Sequence, residues 1–533
     1  MVKSDRSPSV ISGPPLFSPT TGPTRSHGRF GIVGAPSLGP QRALFFSECL
    51  RLTKGSHACG LDLLPAMNFV CVLILSGAAF AGLTGCAVTS TLVGDDMKLP
   101  AEWKNAGNFP VASPDRDLSR WWAHFNDPTL NHLIAGVLED NLDAQTAVSR
   151  VRESRANRAV QRAALFPSLD GGVSGNARRS RTDSAGTTSS DAYSARLDAS
   201  WEVDIFGGNR SAVEAATASL GAASEELNSV HASLAAEVAA TYTSLRANEA
   251  KLAVLKQNIT SREETAQLAA WRLKAGEADS LEATQSQSSL ESARAGLPAL
   301  EQAIGQGKND LALLAGQTPG TLDTWLARSH GVPIPPSSLA VGIPADVLRQ
   351  RPDVRAAGYQ VLAAAASTRA TEATQYPSLN LSGALGIDTI SSSRLFDPES
   401  AAASIASNIA SPIFNAGRIK ANIEATRARE EQAVLNYRKA VLTALSDTEN
   451  ALIACRRSAE RLTTLEKATQ LAREADELAR QRYEAGEIDF LDVLDSQRTL
   501  LSLEDSLLST RTDRTTAYIR LYQALGGGWS SGS

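Results

Sequence analysis

Aromatic side chains make up only 5% of this 533-residue chain. That share is too small for a thick globular core, and the long middle segments are filled instead with Ala, Leu, Ser, Gln, Glu and Arg. Such a mixture suits extended helices packed through small side chains. Cysteine is also scarce, with five residues at Cys49, Cys59, Cys71, Cys86 and Cys455, and no disulfide framework supports the fold. Positive charge runs thin: beyond residue 85, 45 Lys and Arg face 54 Asp and Glu. With no basic cluster in that part, nucleic acid is excluded as a partner. The six histidines (His27, His57, His124, His132, His231 and His330) form no pair at helical or zinc-ligand spacing. Neither Gly-x-Ser-x-Gly nor His-Glu-x-x-His occurs, and Gly305-Gln-Gly-Lys-Asn309 lacks the Ser/Thr and the upstream glycine of a phosphate loop. No catalytic constellation stands out, so the chain reads as a non-enzyme without metal or small-molecule cofactor.

The first hundred residues read as an address. Residues 1–66 are rich in Pro, Ser, Gly and Arg without periodicity, which fits a disordered tail or a reading frame opened upstream of a start near Met67. Residues 67–85 form a signal peptide: an apolar run from Phe69 to Phe80, too short for a comfortable span, then Leu83-Thr84-Gly85-Cys86. A start at Met67 leaves that signal without Lys or Arg, whereas Arg51 and Lys54 lie upstream. The quartet resembles a bacterial lipobox, which implies cleavage before Cys86 and acylation of its thiol. Ala87 in place of Asp then favours the outer membrane. Several acyl chains, at about 0.8 kcal/mol per buried CH₂, make a firm anchor. The plainer alternative is a cleaved secretory signal followed by a chance cysteine.

A tandem repeat occupies most of the remaining chain. Phe166-Pro-Ser-Leu169 returns as Tyr376-Pro-Ser-Leu379, and Ile205-Phe-Gly-Gly-Asn-Arg210 as Ile413-Phe-Asn-Ala-Gly-Arg418. Arg272-Leu-Lys-Ala-Gly-Glu277 returns as Arg482-Tyr-Glu-Ala-Gly-Glu487, and Asn141-Leu-Asp143 aligns with Arg351-Pro-Asp353. An offset of 208 to 210 residues over four landmarks marks a duplication. The expected parts are a lipidated segment at 86–128, a first repeat at 129–316, a connector at 317–344 containing Val332-Pro-Ile-Pro-Pro336, a second repeat at 345–526 and a tail at 527–533. Each repeat predicts a helical stretch (129–165, 345–375), a strand pair (168–177 with 193–205, 378–388 with 402–414), a very long helix and a return helix. The polar stretches 178–192 and 389–401 read as exposed loops. Arg418 to Ala485 holds neither Gly nor Pro, enough for a helix of roughly 100 Å. Val434, Val441, Leu445 and Leu452 give it a seam with coiled-coil spacing. Gly276 and Gly486 stand where a left-handed turn ends these helices, and the return helix of the first copy is interrupted near Gly296 and Pro298.

Tyr193 to Ile205 is apolar at every odd position and polar at every even one, so it is a strand with one oily face. From Tyr193 to Trp201 the path is about 26 Å, or about 19 Å along a membrane normal at 45° tilt. The two aromatics then sit near opposite rims of an apolar band, with Arg196, Asp198, Glu202 and Asp204 facing water inside. A half-exposed soluble sheet explains the alternation equally well, but leaves the lipid anchor and the helix length unexplained. In hydrocarbon a sheet must close, and four strands are too few to enclose a pore. Closure therefore requires identical copies around an axis. Three copies give twelve strands, although the sequence alone demands an oligomer without fixing three.

These landmarks, with Trp121-Trp122-x-x-Phe125-x-Asp127-Pro128-x-Leu130, Trp201-Glu-Val-Asp-Ile-Phe-Gly207, Arg351-Pro-Asp-Val-Arg355 and Phe490-Leu-Asp-Val-Leu-Asp495, carry a resemblance. From about Cys86 to the C-terminus the chain resembles the TolC-like outer-membrane efflux proteins, in particular the NodT- or OprM-like lipoprotein subgroup. The resemblance implies an α+β membrane protein: a homotrimer with a twelve-stranded transmembrane β-barrel on a tandem-duplicated α-helical barrel. It also implies an equatorial belt made from the start, centre and tail of the chain. Gly358 departs from the family, which has Glu there, and weakens that helix locally.

Function is then expected to be that of a passive exit duct for small toxic compounds, driven by an RND-type inner-membrane pump through a periplasmic adaptor. The alternatives are the exit of a type I protein-secretion system and a periplasmic spacer lipoprotein without a pore. Leu491, Asp492 and Asp495 are the candidate gate. The carboxylates, three apart, share a helix face, and the resemblance places them at the constriction that closes the periplasmic end. Crowded around an axis, they form rings of like charge that attract cations. Otherwise they merely complement a helix dipole. The turns carrying Arg272 and Gly276, and Arg482 and Gly486, are the candidate adaptor contacts, unless they only cap helices.

Overall fold

A capped helix starts the first repeat. The computed structural model describes residues 99–107, 118–182, 186–327, 331–336, 344–390 and 401–529; the signal peptide and Cys86 lie outside the described residues. Asp127 accepts from the backbone N–H groups of Thr129 (2.9 Å) and Leu130 (3.1 Å), and Pro128 occupies the first turn, so α1 (Pro128–Asp140) begins there. Its Leu130, Leu133, Ile134 and Val137 line one buried stripe. The helical stretch over 129–165 consists of two helices, because Asn141 turns extended and caps α2 (Leu142–Ala163) through Asp143 and Ala144. The second copy breaks at the equivalent Arg351, before Pro352, into α7 (Pro344–Gln350) and α8 (Pro352–Ala373). Side chains at these two breaks perform the same task 210 residues apart. Asn141 donates to the Leu314 carbonyl (2.8 Å), and Arg351 donates to the Ala524 carbonyl (3.2 Å).

Two unbroken helices organise the rest. α3 (Gly208–Ala275) has 68 residues and α9 (Arg418–Glu484) has 67, so each is roughly 100 Å long. At one end α2, α3, α8 and α9 pack side by side; at the other α3 and α9 pack against the return helices. In the first copy these are α4 (Ser280–Arg294) and α5 (Leu297–Leu314), and in the second the single α10 (Phe490–Ala524). The seam of α9 holds, with Val441 and Leu452 buried. α8 runs unbroken through Gly358. Gly305 to Asn309 lies inside α5, as helix rather than loop. No described helix is long and apolar enough to cross a membrane.

The main core lies midway along α3. Trp121 and Tyr522 stack at 5.1 Å, with Phe125 edge-on to both. Tyr242 donates to Asp127 at 2.8 Å, and buried Arg246 donates to the carbonyl of Leu326 in the short α6 (Asp323–Leu326) at 2.9 Å. Thr515 donates to the Pro333 carbonyl at 2.7 Å, while Gly528 donates to Leu118 at 3.0 Å. Segments from the start, centre and end of the chain thus meet in this one place.

Four antiparallel strands form one sheet in the order β1-β2-β3-β4. They are β1 (Ser168–Thr182), β2 (Gly186–Val203), β3 (Ser378–Thr389) and β4 (Ala401–Ala410). The last strand of one copy pairs with the first strand of the next. Three expectations need correction. Residues 178–192 are not a loop, because the hairpin stays paired to Thr182 and Gly186; cross-strand hydrogen bonds hold a strand that small polar side chains did not announce. β4 ends at Ala410 rather than Phe414. β2 ends at Val203, so Asp204 does not face the interior of a barrel. Its carboxylate accepts instead from the N–H groups of Asn209 (3.2 Å) and Arg210 (2.9 Å) and caps α3.

Odd-numbered residues pair with odd throughout the sheet. One face therefore carries Leu169, Val173, Tyr193, Leu197, Trp201, Leu385, Ile405 and Ile409. Several of these are exposed in the single chain, Ile405 to 93%. The other face carries Asp170, Arg196, Asp198, Glu202 and Asp388. There Arg196 reaches across to Asp388 at 2.9 Å. It passes Gly386, where an added Cβ would lie 2.7 Å from the Arg196 side chain, so only glycine leaves room for the crossing.

Candidate functional site

Each long helix ends in the same turn. Gly276 (φ 78°) and Gly486 (φ 74°) adopt the left-handed conformation that costs other residues about 1–2 kcal/mol. Glu277 donates to the Arg272 carbonyl and Glu487 to the Arg482 carbonyl, both at 2.9 Å. Past the first turn Asp279 caps α4 by accepting from Glu282 N–H at 2.9 Å. Asp489, its counterpart, makes no capping hydrogen bond through its side chain.

The opening turns of α10 have two sides. Phe490, Val493, Leu494 and Gln497 are buried, whereas Leu491, Asp492 and Asp495 are exposed together, Leu491 to 59%. Neither carboxylate has an ion-pair partner among the described residues. An apolar side chain and two carboxylates therefore share an unpartnered face in a segment that is firmly held on its other side.

That hold is a cluster around Tyr483. The ring is buried, packs edge-on to Phe490 at 6.0 Å, and lies under the Arg272 guanidinium at 4.7 Å. Its hydroxyl donates to Glu282, which also lies 3.9 Å from Arg272. Burial first, and the Glu282 carboxylate second, push the phenol up to about 12. One helical turn and more further in, Arg480 donates to Ser261 (3.2 Å) and Gln497 to Thr265 (3.2 Å). Asp476 accepts from Ser496 at 3.2 Å and lies 3.3 Å from Arg480; burial raises its carboxyl above the usual range all the same. Arg262 donates to Asn258 and Ser289. The contacts of Tyr483, Arg480 with Ser261 and Gln497 with Thr265 bind the α9–α10 hairpin of the second copy to the α3–α4 hairpin of the first, while the hydrogen bonds of Asp476 and Arg262 fasten each hairpin within itself.

The candidate tip residues separate accordingly. Arg272 is occupied inside the molecule, whereas Arg482 is exposed, 4.0 Å from an equally exposed Glu487. Gly276 and Gly486 have open space around them. Tyr483, Glu282, Asp476 and Arg262 escaped the sequence reading. In the second copy Tyr483 stands where the first has Leu273, and Glu484 where it has Lys274, within turns that otherwise match. At the sheet, Trp201 donates to the Leu165 carbonyl (3.1 Å) where α2 ends, while Tyr193 stands opposite Gly175 and Thr389 at the far end of the β2–β3 pairing.

Comparison with known proteins adds three findings. A sequence profile of the family described as "Outer membrane efflux protein" matches twice, over residues 133–317 and 343–527, again 210 residues apart. The pyoverdine export outer membrane protein OpmQ of Pseudomonas aeruginosa is 32% identical over 84% of this chain and 95% of its own length. The toluene efflux pump outer membrane protein TtgF of Pseudomonas putida is 32% identical over 86% of this chain and 97% of its own. Among solved structures, the outer-membrane channel OprN superposes with a TM-score of 0.76 at 30% identity, covering 82% of this chain and 99% of that one.

Proposed function

The chain belongs to the outer membrane efflux protein family, and from that premise we infer its work: it is the outer-membrane channel through which an efflux system discharges its cargo. The observation that carries this is the sheet. One face is oily and exposed, the other holds carboxylates and an arginine, and both edge strands lack a partner among the described residues. In hydrocarbon those edges must be satisfied. Copies of the chain joined β4 to β1 satisfy them, turn the oily face to lipid and enclose the charged one. Three copies give a twelve-stranded wall continued by the long helices.

The finer reading rests on the lipobox-like quartet, the exposed tip turns and the unpartnered face of α10. A trimer is lipid-anchored through Cys86 in the outer membrane. Its helical end takes up a periplasmic adaptor at the exposed turns around Gly276, Arg482 and Gly486, and an RND-type inner-membrane pump supplies the energy. Leu491, Asp492 and Asp495 then form the ring that closes the periplasmic end, held shut by the Tyr483 cluster. Cargo is set elsewhere, since relatives equally similar to this chain are named for pyoverdine and for toluene.

The test is conductance. Purified full-length protein should migrate as a heat-sensitive trimer and conduct ions in planar bilayers. A compact, non-conducting monomer overturns the channel reading and leaves a spacer lipoprotein. Separately, Cys86→Ala should abolish incorporation of labelled palmitate while the purified variant still conducts; label retained in the variant rules out this anchor.

A further inference from the structure

β2 and β3 pair as far as Tyr193 and Thr389, but β1 and β2 continue as a hairpin for seven more residue pairs, from Asn176 and Ala192 to Thr182 and Gly186. Strand alternation fixes which side chains of this projection continue the oily face. They are Ala177, Arg179, Arg181, Thr187, Ser189 and Asp191. Past Tyr193 the described part of the lipid-side face therefore holds no large apolar group and carries two arginines against Asp191. Arg178 points to the opposite face. Arg179 and Arg181 are exposed, and neither forms an ion pair among the described residues. The ion pair of the sheet, Arg196 with Asp388, lies on the other face. Among the described residues Asp191 is the acid nearest in register, two residues from the Ser189 that pairs with Arg179.

The height of these arginines decides what they meet. Arg179 is four residues past Gly175, the partner of Tyr193. That is about 14 Å along the strand, or about 10 Å along the normal at a 45° tilt. The headgroup zone extends roughly 5–8 Å beyond the hydrocarbon on each side. Flexible stems let guanidinium groups reach down into that zone. If Tyr193 marks the edge of the apolar band, the backbone of Arg179 lies just above the charged layer distal to the helices and that of Arg181, two residues farther, about 14 Å up, so both meet the layer through their long side chains. A guanidinium fork matches phosphate oxygens in pairs.

We propose that Arg179 and Arg181 dock the phosphate groups of outer-leaflet lipid, forming a collar of guanidinium groups around the assembled channel. The proposal rests on the channel reading, because only a closed sheet in the outer membrane turns this face towards lipid.

Full-length trimer in neutral detergent should be titrated with diphosphorylated lipid A and with its dephosphorylated form, with binding followed by thermophoresis. Wild type is expected to prefer the phosphorylated lipid at least tenfold. The double variant Arg179→Gln/Arg181→Gln should lose that preference. Arg178→Gln, on the opposite face, should keep it, and Arg179→Lys/Arg181→Lys should keep a few-fold share. The heat-sensitive trimer band reports assembly of every variant. An undiminished preference in the Gln double variant overturns the proposal, as does an equal loss in Arg178→Gln. Bilayer conductance of the same preparations separates the two claims: a conducting channel indifferent to phosphate sinks the docking alone, and a non-conducting wild type sinks the channel.

Discussion

At the scale of single residues, one hydroxyl connects the two halves of the chain at their tip. Tyr483→Phe keeps the ring under Arg272 and against Phe490 but removes the bond to Glu282. The loss of about 1 kcal/mol should be local. It is expected as roughly fivefold faster amide exchange between residues 483 and 497, with the helices farther in unchanged. The phenols also set an alkaline limit. Tyr242 and Tyr483 are both pushed up from 10.0 to about 12 by burial. Their contribution to stability is complete below pH 10 and is lost as pH rises through about 12. Near-ultraviolet circular dichroism should therefore hold steady to pH 10 and decay above it, and Tyr242→Phe should reduce the loss. The exposed carboxylates predict the opposite kind of effect, functional rather than structural. Asp492→Ala/Asp495→Ala should raise trimer conductance severalfold without lowering thermal stability; unchanged conductance removes the gate.

Elements were legible to differing degrees, for physical reasons. The long helices declared themselves through the absence of proline, and their ends through Gly276 and Gly486, where backbone conformation selects the residue. The hairpin beyond Tyr193 did not, because Ser, Thr and Arg fill both of its faces and leave no oily alternation to read. Asp204 shows the converse error. It continues the alternation of β2 perfectly well by residue type, yet the chain has already turned, and the carboxylate caps α3. Asp204→Ala should cost about 1 kcal/mol and fray the first turn of that helix, measurable as lost exchange protection at Asn209 and Arg210. Of the candidate site, the exposed face of α10 was visible in the sequence. The Tyr483 cluster was not, since it joins residues about 200 positions apart and no local pattern records such a meeting.

At the scale of the whole molecule, duplication explains what periodicity cannot. Asn141 and Arg351 share no chemistry beyond donating a hydrogen bond, but each anchors its copy to the carbonyl that ends the corresponding return helix. Position was kept while the residue changed. Nothing among the described residues completes the sheet, whose first and last strands each await a neighbour. That incompleteness has a genetic consequence. If a cell makes sound and faulty chains in equal amounts and rings of three assemble at random, only about one ring in eight is free of a faulty member. A variant that assembles but jams the conduit should therefore act dominantly, whereas one that cannot join should be masked by the healthy allele.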